Sequence, residues 1–445
     1  MGEKPLKIKT VALVTLGCRV NQYESEAIAR DFEKLGYEVV RNKKDADIII
    51  VNTCCVTKMS ESKSRRIIRH LHTENADAMI VVTGCYGQRA GHELLNIPGV
   101  ALVTGNGEKE NLAERVNQLD PRRIPCLDVS NIMMRHHFPC AKVKEKTTTR
   151  VRDYIKIQDG CEQFCSYCII PYVRGPVVSR PYDDIIAEAR CLDEKGFKEL
   201  VLTGIHTGFY GKDLPDDINL VTVLKGLLKE TNIRRIRLSS IEPKEVSDEL
   251  IELIASEDRL CNHFHIPLQS GDNEILKKMG RPYSREEYIA LTKRIYRAIP
   301  DAAISSDIIV GFPGESDGAF ENTIDVLTNA EFAFIHSFPY SPREGTKAAI
   351  LPHRVPGDLK EKRQKLLLSL GDFYKYRFAE RHIWQTLDVL VESKDKSGYY
   401  QGHTDNFLMV RFPAETKSLC GKIVKVKALK NDEGVLIGEE VKENQ

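Results

Sequence analysis

Cys161-Glu162-Gln163-Phe164-Cys165-Ser166-Tyr167-Cys168 is the stretch on which the reading of this chain turns. Three residues separate the first two cysteines and two separate the second pair. Zinc sites more often show paired two-residue spacings, with a second half elsewhere. No fourth Cys or His stands nearby at such a spacing. Three thiolates on one tight loop suit an iron–sulfur cluster with one iron left open to a substrate or cofactor. The plainer alternative is a reactive loop or a zinc half-site.

Outward from this loop the chain alternates strand and helix patterns. Strands are predicted at 154–158, 199–203, 234–239, 263–266, 303–310 and 332–337, with helices between them, for example at 182–195 and 285–298. Such units fit a partial (β/α)6 barrel, whose chemistry sits at the carboxyl ends of its strands. The loops after those ends carry the candidates: Gly204 and His206, Ser239 and Glu242, Gln269, and Gly311, with Asp307 on the fifth strand. Gly204 would let a ligand lie against the backbone. Ser239 and Glu242 suit hydroxyl or amine groups. Gln269, between Leu268 and Ser270, has no obvious packing role. Gly311 and Gly314 equally suit plain turns, and Asp307 could instead cap a backbone group. His263 and His265 are expected to face opposite sides, one of them as a core histidine. Arg174 and Arg180 flank the cysteine loop and could meet a carboxylate or phosphate, or simply lie at the surface.

Before the loop, strands are predicted at 11–16, 47–51, 78–83 and 100–104, with helices at 22–35 and 60–72. This rhythm argues for a doubly wound parallel sheet. Cys18, Cys54 and Cys85 each stand just past a strand end, in Gly17-Cys18, Thr53-Cys54 and Gly84-Cys85. In a parallel sheet these loops emerge at the one edge where ligands bind. Any one of these cysteines could be a small buried residue. Three at equivalent positions point to a second metal site. Cys55 follows Cys54 directly, so the two side chains diverge, and the loop position favours Cys54 as the ligand.

The chain has 445 residues, 65 Lys+Arg against 64 Asp+Glu, and 42% hydrophobic residues. A net charge of +1 excludes bulk attraction to nucleic acid, so any basic face must be local. No apolar stretch approaches the ~18–20 residues of a membrane span, and residues 1–9 read as charged rather than as a leader. A cytoplasmic location without membrane contact is expected. Twelve cysteines then need a reason other than structural disulfides.

At this point a resemblance is plain. CxxxCxxC with an aromatic before the last Cys is similar to the radical S-adenosylmethionine (SAM) signature. Together with the three upstream cysteines it resembles the methylthiotransferase family. The supporting stretches are Thr15-Leu-Gly-Cys-Arg-Val-Asn-Gln-Tyr-Glu-Ser25, Val51-Asn-Thr-Cys54, Gly84-Cys-Tyr86, Gln158-Asp-Gly-Cys161 and Asp307-Ile-Ile-Val-Gly-Phe-Pro-Gly-Glu315. The first looks most like the type acting on N6-threonylcarbamoyladenosine in tRNA.

The resemblance implies two 4Fe-4S clusters, one on Cys161, Cys165 and Cys168 and one on Cys18, Cys54 and Cys85. It implies SAM bound at the first cluster and cleaved to a 5′-deoxyadenosyl radical, with Tyr167, Gly204, His206, Ser239, Glu242, Gln269, Asp307 and Gly311 around it. The second cluster would hold the inserted sulfur, and a second SAM would methylate it. The substrate would be the tRNA anticodon stem-loop at position 37, and a flavodoxin or ferredoxin would supply low-potential electrons. Phe209, where a glycine is common, and Val177-Val178, in place of a more polar stretch, depart from the family pattern.

Residues 121–149 read as a linker between domains at 1–120 and 150–375, containing Cys126 and Cys140 without assigned roles. Cys191, Cys261 and Cys420 read as packing residues. A long basic helix at 359–381 leads to short strands at 387–392, 398–404, 408–412 and 421–429, a small β-barrel within 376–445 that resembles the OB-like TRAM module. That segment is neutral overall, but Lys422, Lys425 and Lys427 form a local basic stripe suited to an RNA backbone. Tyr399, Tyr400 and Phe407 could stack on bases. A solvated strand edge is the alternative. Lys63, Arg65, Arg66 and Arg69 form a second basic cluster, read as a solvated helix face. Two other functions stay open here: a radical enzyme acting on isopentenyladenosine or on a ribosomal protein, and a non-enzymatic iron–sulfur RNA-binding protein.

Overall fold

The structure is a computed structural model that describes residues 9–119, 125–139, 151–215, 217–414 and 418–441. Cys140, the polar run at 142–150 and Lys417 lie outside the described residues. The chain forms two compact units. One comprises the N-terminal sheet together with Gln158–Arg180 and Ser341–Ala349; the other comprises the segment ending at Ile157, Pro181–Tyr340 and the remainder from Ile350.

In the first unit, β1 (Thr10–Thr15), β2 (Glu38–Val39), β3 (Ile48–Thr53), β4 (Met79–Gly84), β5 (Val100–Thr104) and β6 (Cys126–Asp128) form one parallel sheet in the order β2-β1-β3-β4-β5-β6. Every residue of β3 is buried, as a central strand covered on both faces requires. Helices α1 (Arg19–Lys34) and α4 (Leu112–Asn117) cover one face through Ile28, Phe32, Leu112 and Val116. Helices α2 (Lys58–Glu74) and α3 (Cys85–Leu95) cover the other through Ile68, Leu71 and Leu94. The expected doubly wound sheet is therefore present. Residues 126–128, read above as part of an irregular connection, instead add its last strand, and Cys126 opens it. Three residues at a sheet edge are too few to show a periodic pattern.

In the second unit β7 (Arg152–Lys156) begins a row of parallel strands. The chain first crosses the antiparallel pair β8 (Gln158–Asp159) and β9 (Val178–Ser179) of the other unit, which frame α5 (Ile170–Arg174). The row continues with β10 (Glu199–Thr203), β11 (Arg235–Leu238), β12 (His263–His265), β13 (Ala303–Val310) and β14 (Phe334–Pro339). Isolated bridges at Ile236–Leu260 and Ser240–His265 join the two three-stranded halves. Helices α6 (Tyr182–Glu194), α7 (Leu220–Glu230), α8 (Asp248–Ser256), α9 (Asn273–Met279), α10 (Arg285–Ala298) and α11 (Asp317–Asn329) lie between these strands in the chain. Six strands in sequence order with helical crossovers make the expected partial (β/α)6 barrel. His263 and His265 share one face of β12, because alternate residues of a strand do, and both reach Ser305 Oγ, at 3.3 and 2.8 Å. This corrects the expectation of opposite faces.

Helix α12 (Gly357–Glu380) leads into β15 (Thr386–Lys394), β16 (Tyr399–His403), β17 (Met409–Pro413), β18 (Ile423–Asp432) and β19 (Val435–Glu440), which close into a barrel in the order β15-β16-β17-β19-β18. Strand β19 escaped the sequence reading because Asp432-Glu433-Gly434 precedes it and Glu439-Glu440 ends it, leaving only a short apolar run between. Cys420 is exposed in a turn and is not a packing residue. Tyr400 is buried in the core of this barrel and is not free to stack on a base.

Glu199 lies fully buried on β10, where Arg237 Nε donates to it at 2.9 Å and Arg152 and Arg235 stand at 3.6 and 3.8 Å. Arg237 and Arg235 also donate to carbonyls of the small barrel, Asp405 and Asp388, each at 2.6 Å. Burial alone would raise the Glu199 carboxyl, but the three arginines outweigh it and hold it at about 2, against an ordinary 4.5. The stability it contributes is thus fully present above pH 4.5 and is lost as pH falls toward 2. Urea unfolding of Glu199→Gln should show less loss across that window than wild type, starting from lower stability at neutral pH.

Candidate functional site

The first unit brings both cysteine trios into one compact body. Cys18 caps α1 just past β1, Cys54 follows β3, and Cys85 begins α3 just past β4. The order β2-β1-β3 places a topological switch between β1 and β3, where open sheets bind ligands. Two glycines let the loops nest. Gly17 has φ +99°, and a Cβ there would lie 2.8 Å from Cys54 Cβ and 3.2 Å from its Sγ. Gly84 has φ +98°, and a Cβ there would meet the Thr53 carbonyl at 2.6 Å. The expected effect of Gly17→Ala is a displaced Cys54 loop and a fall in iron from about eight toward four per reconstituted chain, checked by iron assay.

Cys54 and Cys85 are buried, and Cys18 is exposed. Burial pushes the Cys54 thiol up to about 11, with neighbouring Cys85 and Cys18 adding to the shift. Cys85 moves the other way: Cys55 hydrogen-bonds to it, and Arg174, Lys109 and Asn106 outweigh burial and favour its thiolate. Asn106 Nδ2 donates to Cys85 Sγ at 3.5 Å and to the Val173 carbonyl at 2.7 Å. Among the described residues no three His, Cys, Asp or Glu side chains crowd one point closely enough for a single metal ion. A polynuclear cluster asks for wider spacing, because its thiolates sit on different irons.

The Cys161 loop is strapped at its base. β8 pairs with β9, and the Cys161 N–H donates to the Gly175 carbonyl at 3.1 Å. Gly160 and Gly175 both have positive φ, and a Cβ on Gly160 would collide with backbone at Gly175 and Pro176. The Cys168 N–H donates to the Cys165 carbonyl at 2.9 Å, which holds the last four residues of the motif in a turn. Cys165 is buried, while Cys161, Tyr167 and Cys168 are partly exposed.

A buried ion-pair network joins this loop to the residues after Cys18. Arg174, fully buried, donates to Glu24 at 2.7 and 3.1 Å, to Asn21 at 2.5 Å and to Asp159 at 3.1 Å. Arg135 donates to the other Asp159 oxygen at 3.0 Å, and Lys109 pairs with Glu24. Arg180 Nη1 donates to Tyr23 Oη at 3.2 Å. The carboxylates that Arg174 meets thus belong to the protein itself. Asn106, Lys109 and Arg135 were not singled out from the sequence, and Glu24 only as part of the Thr15–Ser25 stretch, since each gains its role through a partner distant in the chain.

In the second unit the barrel candidates fall on or just past the strand ends. Gly204 follows β10, and His206 stacks on Phe209 with ring centroids 3.5 Å apart. The Ser239 hydroxyl is buried with no hydrogen-bond partner among the described residues, as a group reserved for a ligand would be. Glu242 is already paired with Arg281, and burial raises its carboxyl above the usual range. Gln269 adopts φ +63°, and its N–H donates to the Asp307 carbonyl at 2.9 Å. Asp307 meets His265 at 3.4 Å rather than capping backbone. His336, not singled out from the sequence, lies beside them; its burial lowers its pKa. Gly311 has φ +73° and packs under Lys360.

On the small barrel Lys422 and Lys425 are exposed and Lys427 is half-buried. Asp388 stands opposite Lys425, and Glu439 opposite Lys427, so adjacent strands interleave carboxylates with the stripe. On α2, Lys63, Arg66 and Arg69 are exposed, whereas Arg65 bonds to Tyr86 Oη.

Comparison with known proteins agrees with this geometry. Residues 155–327 match the radical SAM superfamily, 10–105 an uncharacterized protein family, UPF0004, and 380–441 the TRAM domain. The chain is 40% identical over 426 residues to threonylcarbamoyladenosine tRNA methylthiotransferase MtaB of Bacillus subtilis, covering 95% of this chain and 94% of that protein. It is 36% identical over 430 residues to MtaB of Thermotoga maritima, covering 96% of each. It is 34% identical over 432 residues to the tRNA-2-methylthio-N(6)-dimethylallyladenosine synthase of Syntrophotalea carbinolica, covering 94% of this chain and 97% of that one. The radical SAM methyltransferase TsrM of Kitasatospora setae, solved with cobalamin and a 4Fe-4S cluster, covers 77% of this chain and of its own at a TM-score of 0.55 and 18% identity, a likeness of fold alone. The radical SAM match carries with it SAM and one 4Fe-4S cluster. The chain belongs to the radical SAM methylthiotransferase family.

Proposed function

We propose that this protein replaces the hydrogen on carbon 2 of N6-threonylcarbamoyladenosine, at position 37 of tRNA, with a methylthio group. The observation that carries this reading is the placement of two cysteine trios in one compact unit, tied together through Arg174. Cys161, Cys165 and Cys168 would hold the cluster that binds SAM. Cys18, Cys54 and Cys85 would hold a second 4Fe-4S cluster. Bound there, the first group supplies a carbon radical able to remove an unactivated hydrogen, and the second supplies the sulfur.

The residues of the chain do the remaining work. Arg174 and Lys109 place positive charge beside Cys85 and favour the thiolate that iron needs. Ser239, Glu242, Gln269 and Asp307 offer donors and acceptors at strand ends, where Tyr167, Gly204, His206 and Gly311 complete the proposed SAM surroundings. Lys422, Lys425 and Lys427 would meet the phosphates of the anticodon stem-loop. A flavodoxin or ferredoxin would deliver electrons. The resemblance of the first motif and the MtaB relatives favour the threonylcarbamoyl substrate over the isopentenyl one.

Mass spectrometry of tRNA nucleosides tests this reading. Cells lacking the gene should lose the 2-methylthio derivative of threonylcarbamoyladenosine and keep that of isopentenyladenosine. Loss of the latter alone would reverse the substrate, and loss of neither would remove the reading.

A further inference from the structure

The single tryptophan of the chain, Trp384, is an outlier in three respects. Its side chain is 67% exposed, although tryptophan is highly buried on average. Its backbone has φ +68°, a left-handed conformation that bulky residues seldom adopt. No aromatic or cationic ring contact is made to it among the described residues.

That conformation is nevertheless held in place. The Trp384 N–H donates to the Ala428 carbonyl at 2.8 Å, and the Ala428 N–H donates back to the Gln385 carbonyl at 2.9 Å. The residue is thus clamped at the head of β15, against β18. Two residues on, Thr386 stands directly opposite Lys427, and Asp388 stands opposite Lys425. The neighbourhood therefore offers an exposed indole on a pinned backbone, two residues before the Thr386–Lys427 pair and four before the Asp388–Lys425 pair, with Asp388 and Glu439 interleaved.

We infer that Trp384 is a stacking platform for an unpaired base of the RNA substrate, with Lys425 and Lys427 meeting the adjoining phosphates. This rests on the tRNA reading above. An indole face accepts any base by stacking, while lysines neutralise the backbone. The interleaved carboxylates keep the electrostatic contribution small, so the aromatic carries most of the local affinity. A protein partner would also bury an exposed tryptophan, but two lysines further along the same strand pair favour a polyanion that carries flat rings.

Because the chain has one tryptophan, its emission reports this residue alone. The test titrates full-length, cluster-loaded protein with tRNA lacking the methylthio group. Binding is followed by anisotropy of end-labelled tRNA, and the tryptophan by its emission and its quenching by iodide. The expected result is quenched emission and protection from iodide at saturating tRNA. Trp384→Ala should weaken binding by about 5- to 150-fold, and Trp384→Phe should restore most of it. Since the side chain is exposed, both variants should keep wild-type melting temperatures. Saturable tRNA binding with unmoved emission, or equal affinity of Trp384→Ala, would overturn the inference while leaving the tRNA reading intact. No tRNA binding by wild type would overturn the tRNA reading, and the inference with it.

Discussion

Arg174→Met is expected to abolish methylthiolation and to lower stability by about 3–5 kcal/mol. Arg174 is fully buried and bridges Glu24 and Asn21 of α1 to Asp159 of β8. Removing the guanidinium strips a cation from two buried carboxylates, Glu24, which Lys109 also meets, and Asp159, which Arg135 also meets. Lys109 is itself disfavoured as a cation by burial, with Glu24 and Cys85 pulling it back and Arg174 adding to the penalty. The substitution also takes away one of the charges favouring the Cys85 thiolate. Arg174→Lys keeps a charge but cannot reproduce the fork that reaches three partners. It should retain most of the stability yet lose the coupling between the trios. The measurements are urea unfolding, iron content, and a comparison of SAM cleavage with methylthio product. A Lys variant that makes product at the wild-type rate would show that the network only stabilises the fold.

The second large effect concerns the other trio. Replacing Cys18, Cys54 and Cys85 together by alanine should bring iron from about eight to about four per chain and remove methylthio product altogether. Reductive cleavage of SAM should persist, because Cys161, Cys165 and Cys168 are untouched and their loop is held by its own β8–β9 base and by the Cys161–Gly175 bond. Cys55→Ala should retain both clusters. Cys54 is the cysteine that Gly17 admits at close approach and that neighbours both Cys18 and Cys85. Cys55 is wholly buried and hydrogen-bonded to Cys85, in a supporting position. Iron analysis with SAM-cleavage and product assays on the same preparations separates these outcomes.

Much of this was legible in the sequence where period and punctuation are strong. The strands at 199–203 and 303–310, the second built from apolar ends around Ser305-Ser306-Asp307, stand between clear turns and are bounded to the residue. The equivalence of Cys18, Cys54 and Cys85 followed from the carboxyl-edge rule for parallel sheets. What sequence could not show was pairing at a distance. Asn21, Tyr23 and Glu24 read as part of a motif, but their partners lie about 150 residues on, at Arg174 and Arg180. Short strands such as β2, β6 and the β8–β9 pair leave no periodic trace. Tyr399 and Tyr400 both look available to RNA in the sequence, but adjacent strand residues face opposite ways, and Tyr400 is the one turned into the barrel core. Lys425 and Lys427 looked like an unopposed stripe because Asp388 and Glu439 arrive from other strands.

The central claim is that the two trios hold clusters near each other within one unit. Electron paramagnetic resonance of the reduced, doubly loaded protein tests it most directly. Proximity should broaden and split the signals by spin–spin interaction, so that the spectrum differs from the sum of those from the Cys18/Cys54/Cys85 and Cys161/Cys165/Cys168 alanine variants. A spectrum equal to that sum, at full iron content, would contradict the account.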